Sequence, residues 1–217
     1  MRATSAAAKR ARPLLGTLVE ISAQGRDANE AIDRAFDAIG RVHRAMSRQE
    51  GTSDIARLRS GHRAALDPWT RRVLERAEEL RLATDGLFDC ASCDYSLDGI
   101  AKGFAVDRAV DCLREAGMTA GVVNAGGDLR VFGDEWQPLH VRAGTELIYV
   151  GTIYEAAVAT SASLGLVHPL GGKVCAAEVT VIAADCMTAD ALTKPCMLEP
   201  EARAAAERLG ARVLRSA

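Results

Sequence analysis

Residues 97–110, LDGIAKGFAVDRAV, place a glycine-containing turn directly before a segment with helical periodicity. Apolar side chains recur at helical spacing through this segment, and Gly117 follows it. The pattern predicts a helix over Lys102–Glu115 that ends at the glycine. Lys102 then stands at the amino terminus of the helix, where backbone amides and an ammonium group are suited to phosphate oxygens. A helix start with a solvated lysine is the alternative interpretation.

Short strands and amphipathic helices are predicted on both sides of this helix. Alternating β-branched residues predict a strand over 17–22, and an apolar stripe predicts a helix from Asn29 to Met46. Asp67 followed by Pro68 opens another helix, which ends close to Gly86. The remaining predictions are two short strands around a turn within 121–132, strands at 139–142, 147–153, 155–161, 178–183 and 211–215, and a helix at 200–209. Because long helices do not regularly separate the strands, we expect an α+β fold with mixed or antiparallel sheets and flanking helices.

Composition and charge narrow the class of protein. The 217 residues are 48% hydrophobic and 26% charged, which is typical of a soluble globular chain, and we expect a single domain over residues 1–217. A net charge of −2 and 4% aromatic residues argue against a nucleic-acid partner, and no apolar run is long enough to predict a membrane span. One CxxC pair, Cys90 and Cys93, is too small a ligand set for zinc. The amino-terminal segment lacks the apolar core of a secretory signal and the six cysteines are scattered, so we expect a cytoplasmic protein with reduced thiols.

Three further clusters carry groups suited to chemistry. Paired glycines in residues 124–128, NAGGD, allow close backbone approach in either a hairpin turn or a ligand-contacting loop. His168, in the sequence HPLGG, is a candidate general base near neutral pH, although a single histidine is more often structural. Asp190 and Thr193 fall on one helical face, where their oxygen atoms could bind a hard cation such as Mg²⁺. A helix-start carboxylate that interacts with the helix dipole is the alternative.

The order of these clusters resembles the FAD:protein FMN transferase (ApbE-like) family, also called thiamine-biosynthesis lipoproteins. The segments that carry the resemblance are LLGTLVEI (14–21), MSRQEGTSDIARL (46–58), TDGLFD (84–89), LDGIAKGFAVDRAV (97–110), NAGGDLRVFG (124–133), AVATSA (157–162) and VTVIAADCMTADALT (179–193). The resemblance implies the flavin transferase fold. It also implies an enzyme that uses Mg²⁺ and FAD to attach FMN, through a phosphoester, to a threonine hydroxyl of a target flavoprotein, with release of AMP.

The resemblance also implies a set of site residues. The implied magnesium ligands are a backbone oxygen of Gly99 and the side chains of Asp190 and Thr193. His168 is the candidate catalytic base. The implied flavin-nucleotide contacts are Leu15, Gln49, Asp89, Cys90, Ala91, Ser96, Lys102 and His168.

Some positions depart from the pattern of the family. Ser96 stands where the family has an aspartate, the segment between residues 89 and 97 is shorter, and Lys194 replaces a threonine. An ammonium about 4 Å from a divalent ion repels it by roughly 8 kcal/mol at an effective dielectric constant near 20. A Lys194 that points inward therefore predicts weakened or excluded Mg²⁺, with Lys102 and Lys194 neutralising the diphosphate. A kink at Pro195 that turns Lys194 outward predicts an intact metal site.

The leading functional prediction is thus Mg²⁺-dependent FMN transfer from FAD to a protein threonine. The alternatives are a catalytically impaired FAD-binding relative and a Mg²⁺-dependent FAD pyrophosphatase, in which water replaces threonine. We expect FAD to bind more tightly than FMN, because its second phosphate meets Lys102. We also expect Asp190→Ala to leave the fold nearly intact, because a helix-start carboxylate contributes only about 0.3–1 kcal/mol.

Overall fold

A computed structural model describes residues 7–62, 65–143, 146–162 and 178–216. The strands within these ranges are β1 (Ala7–Leu14), β2 (Thr17–Gln24), β3 (Ala120–Ala125), β4 (Asp128–Gly133), β5 (Gln137–Ala143), β6 (Glu146–Ile153), β7 (Ala157–Ala162), β8 (Glu178–Ala183) and β9 (Arg212–Ser216). The helices are α1 (Ala28–Met46), α2 (Asp54–Arg59), α3 (Pro68–Ala83), α4 (Ala101–Glu115), α5 (Cys186–Leu198) and α6 (Ala202–Arg208). None of these helices is long and apolar enough to cross a bilayer.

Seven strands form one antiparallel sheet in the order β1-β2-β3-β4-β7-β8-β9. The other two strands, β5 and β6, pair only with each other as a hairpin within the described residues. The chain enters the helical layer after β2 and again after β8, so the helices flank a sheet made of neighbouring antiparallel strands. The predicted α+β fold with antiparallel sheets and flanking helices is confirmed.

The main core lies between the large sheet and the helices α1, α4 and α5. The apolar stripe of α1 is buried there, and Ile32 and Ile39 are both fully inaccessible to solvent. Burial of each such side chain contributes roughly 1.5–3 kcal/mol to folding. A smaller cluster forms where the β5–β6 hairpin places Leu139 and Ile153 against Val131 of β4. Helices α4 and α5 lie on the helical side of the large sheet and pack against one another there.

The sequence did not reveal β1 or α2. Every described side chain of β1 is exposed or half-buried, so this edge strand carries no apolar alternation. It is held instead by ion pairs from Arg10 and Arg12 to Asp33 of α1, with 2.7 Å between Arg10 Nη1 and Asp33 Oδ2. The short α2 lies within a polar segment and begins at Ser53, whose hydroxyl accepts a hydrogen bond from the amide of Ala56 at 3.0 Å.

Pro195 does not end α5, which continues to Leu198. Proline has no amide hydrogen, so the carbonyl of Ala191 loses its usual partner at this point of the helix. The side chain of Lys194 nevertheless points into the protein, where it is 14% exposed. Of the two orientations considered from the sequence, the structure has the inward one.

Candidate functional site

A cleft of about 510 Å³ opens between the β1–β2 turn, the end of α1 and the start of α4. Leu15 and Gly16 form the turn, with φ angles of 55° and 71° that match a tight two-residue hairpin connection. Leu15, Gln49 and Lys102 all line this cleft. The structure therefore brings together three of the flavin-nucleotide contacts that the sequence predicted, from segments far apart in the chain.

Lys102 is the cationic group of this cleft. Its side chain is 33% exposed, and its Nζ lies 2.9 Å from Oδ2 of Asp128, which is buried. Burial alone lowers the pKa of Lys102, but the neighbouring carboxylates of Asp128 and Asp190 outweigh it and raise the pKa. Lys102 thus remains an ammonium at neutral pH, at the amino terminus of α4.

Asp128 is a site residue that the sequence did not single out. Gly126 and Gly127 make the β3–β4 turn with φ angles of 66° and 102°, and Asp128 is the first residue of β4. A Cβ at Gly126 would lie 3.0 Å from the Cβ of Thr17, so glycine is needed for this close approach. NAGGD is therefore a hairpin turn that also delivers a buried carboxylate to Lys102. Burial, followed by the charge of Asp190, raises the pKa of Asp128 to about 6.

Helices α4 and α5 meet at Gly103. A Cβ there would overlap the carbonyl group of Cys186 and lie 2.8 Å from the Cβ of Asp190. The amide of Gly103 donates to Oδ2 of Asp190 at 3.0 Å. Since Ile100, the residue that precedes α4, has no polar side chain to cap the helix, Asp190 provides a carboxylate to the α4 amino terminus from across the interface. Asp190 therefore has a structural role that its position in the sequence did not indicate.

Lys194 lies between Gly99 and Asp190. Its Nζ pairs with Oδ1 of Asp190 and also donates to the carbonyl oxygen of Asp190 at 3.0 Å. The hydroxyl of Thr193, fully buried, donates to that same carbonyl at 2.7 Å and lies 2.7 Å from the hydroxyl of Ser161. The oxygen atoms of Asp190 and Thr193 thus already have protein partners.

These residues do not fit a divalent metal ion. Gly99, Asp190 and Thr193 do gather around one place, but an ammonium group lies among them and pairs with the single carboxylate of the set. Over the residues that the structure describes, no three His, Cys, Asp or Glu side chains are arranged to hold a metal. An ammonium about 4 Å away repels a divalent ion by roughly 8 kcal/mol at an effective dielectric constant near 20, which is more than one neutral oxygen ligand could offset.

Two smaller cavities hold four more of the predicted contacts, Asp89, Cys90, Ala91 and Ser96. Cys90, Ser96, Gly99 and Lys194 line a cavity of about 50 Å³. Asp89, Cys90 and Ala91 line a more apolar cavity of about 300 Å³ beside α3. Asp98 lines both the large cleft and the smaller of these two cavities, and Cys90 lines both of the small cavities.

The segment after residue 89 is a compact turn. The carboxylate of Asp89 accepts hydrogen bonds from the amides of Ala91 and Ser92 at 2.9 and 3.1 Å. Burial raises the pKa of the Cys90 thiol to about 12, so this thiol stays protonated and is no nucleophile at neutral pH. His168, the predicted base, lies outside the described residues, and its role stays a prediction.

Comparison with known proteins agrees with the fold and the order of the motifs. The model of the ApbE family matches residues 15–96 and 93–214. The structure of the flavin transferase ApbE from Vibrio cholerae is similar, with a TM-score of 0.84, 19% identity, and coverage of 97% of this chain and 93% of that one. The apo flavinyl transferase ApbE from Pseudomonas stutzeri gives a TM-score of 0.81 at 17% identity, with 98% and 91% coverage. The ApbE protein from Thermotoga maritima gives a TM-score of 0.80 at 20% identity, with 97% and 94% coverage.

No curated protein sequence matches the chain. The match to the family extends over nearly the whole sequence, and the chain belongs to the ApbE family.

Proposed function

We propose that this protein binds FAD in the cleft lined by Leu15, Gln49 and Lys102 and is a flavin transferase. It moves FMN from FAD to a threonine hydroxyl of a target flavoprotein and releases AMP. Membership of the ApbE family supports this proposal, and two similar structures bear the names of flavin and flavinyl transferases. The observation that carries it is the ammonium of Lys102, fixed by Asp128 at the amino terminus of α4 and open to the cleft.

The cleft has the size and the mixed lining that a nucleotide needs. Its volume of about 510 Å³ lies within the range usual for small-molecule sites. Leu15 offers an apolar contact for an aromatic ring, beside a wall formed by the buried Val42 and Met46, whereas Lys102 offers a charge for phosphate oxygens. FAD carries aromatic ring systems and, between them, two phosphates. The end of the cleft at Lys102 therefore suits its diphosphate.

The proposed reaction is phosphoryl transfer at the diphosphate. The threonine oxygen forms a bond to the phosphorus of the FMN half, and the bond from that phosphorus to the bridging oxygen breaks. AMP leaves with that oxygen and the electron pair, and the hydroxyl proton passes to a base, for which His168 is the candidate. Lys102 stabilises negative charge on the phosphate oxygens. The resemblance implies Mg²⁺ for this chemistry, but the residues around Asp190 do not fit a divalent ion. The proposed reaction therefore proceeds without a metal.

A second candidate function is FAD binding without transfer. The pairing of Lys194 with Asp190 favours it, because a carboxylate that the resemblance assigns to catalysis is occupied by a protein cation. The short turn held by Asp89 favours it as well, since it leaves less chain beside the flavin. Hydrolysis of FAD, with water in place of threonine, is a third outcome that one experiment separates from the other two.

The test is incubation with FAD and an acceptor domain that carries a flavinylation motif, followed by intact-mass measurement of the acceptor and chromatography of the nucleotides. Transfer predicts FMN mass on the acceptor and an equal amount of AMP, both lost when the acceptor threonine is replaced by alanine. Lys102→Met should abolish the product, and Lys9→Met, which removes a lysine 66% exposed on β1, should not. AMP and free FMN without an adduct would indicate a pyrophosphatase. Intact FAD with an unmodified acceptor would contradict the transferase proposal.

A further inference from the structure

Lys194 is a largely buried lysine whose ammonium is held by two oxygen atoms of Asp190. Its Nζ pairs with the Asp190 carboxylate and donates to the Asp190 carbonyl oxygen at 3.0 Å. Its stem lies along Gly99, where a Cβ would be 3.2 Å from Cε and 3.5 Å from Cγ of the lysine. Contacts at both the stem and the ammonium end therefore fix the position of this charge.

Lys194 belongs to a group of four charges that balance one another. Lys102 pairs with Asp128, and Lys194 pairs with Asp190. The amide of Gly103, the residue after Lys102, donates to Asp190 and so links the two pairs. The two carboxylates are buried, and they compensate the two ammonium groups. A divalent ion added to this set would leave two positive charges without partners in a poorly solvated place, which is unfavourable.

A lysine at this position can stabilise negative charge on phosphate oxygens, as a metal ion would. Its ammonium has three hydrogen atoms to donate, and the two oxygen atoms of Asp190 that it contacts use two of them. Among the described residues the third has no acceptor, so it is available to a phosphate oxygen. Lys102 lines the large cleft, and Lys194 lines the small cavity that shares Asp98 with that cleft. The residue next to Lys102, Gly103, donates its amide to Asp190, the partner of Lys194.

We propose that the ammonium of Lys194 takes the place of a divalent metal ion in this protein, so that Lys102 and Lys194 together meet the diphosphate of FAD. The identity of FAD as the ligand rests on the proposed function, whereas the exclusion of the metal does not. The protein is then a member of its family that binds its nucleotide without a metal ion.

Manganese binding tests the exclusion without any assay of activity. Mn²⁺ serves as a spectroscopic probe for Mg²⁺, and its electron paramagnetic resonance signal in solution falls when it binds. The parent protein without FAD should leave the signal unchanged at millimolar Mn²⁺. Lys194→Thr removes the ammonium and supplies an oxygen, and it should bind Mn²⁺ more than about a hundredfold more tightly than the parent. Lys9→Thr makes the same change of charge on the surface and should behave like the parent.

Stoichiometric binding of Mn²⁺ to the parent, as tight as to Lys194→Thr, would overturn the inference. A folded Lys194→Thr protein that binds no Mn²⁺ would overturn it as well. If circular dichroism shows that this variant is unfolded, Lys194→Gln takes its place in the same comparison, because its side chain is only one atom shorter than lysine and also offers an oxygen. Flavin fluorescence in EDTA then tests the ligand separately: the parent should keep its FAD affinity, and absence of FAD binding would count against the proposed function while leaving the Mn²⁺ result intact.

Discussion

Removal of the Asp190 carboxylate should destabilise the fold far more than its position at a helix start suggests. Asp190 is 1% exposed and pairs with Lys194, which is 14% exposed. Removing one partner of a buried pair costs about 3–5 kcal/mol, because the other charge stays buried without compensation. We expect about 3 kcal/mol for Asp190→Ala, since the backbone carbonyl of residue 190 still accepts from the ammonium. The sequence-based expectation of a nearly intact fold assumed an exposed helix start, whereas Asp190 is buried in the second turn of α5.

A double-mutant cycle isolates the energy of this pair. Asp190→Ala and Lys194→Met should each be strongly destabilising, and the double variant should be less destabilised than the sum of the two by more than about 2 kcal/mol. The matched control is Arg203 and Glu207, an ion pair with the same four-residue spacing on α6 whose side chains are 56% and 54% exposed. Its coupling should stay below about 0.5 kcal/mol.

Urea unfolding followed by circular dichroism at one pH gives all of these free energies. Asp190→Asn is a further comparison, because it keeps an acceptor for the amide of Gly103 while it removes the charge. A coupling between Asp190 and Lys194 no larger than that of the α6 pair would refute the reasoning, since the two charges would then be solvated and not confined together.

Three further predictions follow from the packing and charges of the site. Gly103→Ala should destabilise the protein by about 1–3 kcal/mol, because the new Cβ meets the backbone of α5. Gly40→Ala in α1, where the Cβ meets only the flexible end of Arg44, should stabilise the protein by roughly 0.4–1 kcal/mol. Thermal unfolding of both variants checks this, and equal effects of the two substitutions would contradict it. Burial and Asp190 raise the pKa of the Asp128 carboxyl to about 6 in the folded protein. Its contribution to the free energy of unfolding is therefore fully present below the pKa of the unfolded chain and is lost as the pH rises through about 6. Urea unfolding should show that the free energy of unfolding falls less over this pH range in Asp128→Asn than in the parent, and an identical fall in both proteins would count against it. Cys90 should react with iodoacetamide much more slowly in the native than in the unfolded protein, because its thiol is buried with a pKa of about 12; mass mapping that finds equal rates would oppose the packing described for this residue.

The sequence predicts the fold well where one local pattern decides the structure. The stripe of α1 and the periodic segment of α4 gave helices within one residue of the observed starts, at Ala28 and Ala101. β1 could not be found in this way, because an edge strand held by Arg10 and Arg12 needs no apolar alternation.

The candidate site was predictable only in part, because its pairs join distant segments. Lys102 was singled out from its helix start, but its partner Asp128 comes from a hairpin turn 26 positions later and the link between them is tertiary. For Lys194, the sequence allowed both orientations, because a kink at Pro195 could have turned the side chain outward. Packing of the lysine stem against Gly99 decides between them, and no local pattern in the sequence reports that contact.

Calorimetric titration of FAD in the presence of EDTA tests the central claim most directly. The account predicts saturable binding of one FAD per chain, weaker binding of FMN, and a loss of affinity in Lys102→Met that Lys9→Met does not show. These results would place the diphosphate on Lys102 without a metal ion. Absence of any FAD binding at hundreds of micromolar protein, or equal affinities for FAD and FMN in parent and Lys102→Met alike, would contradict the account.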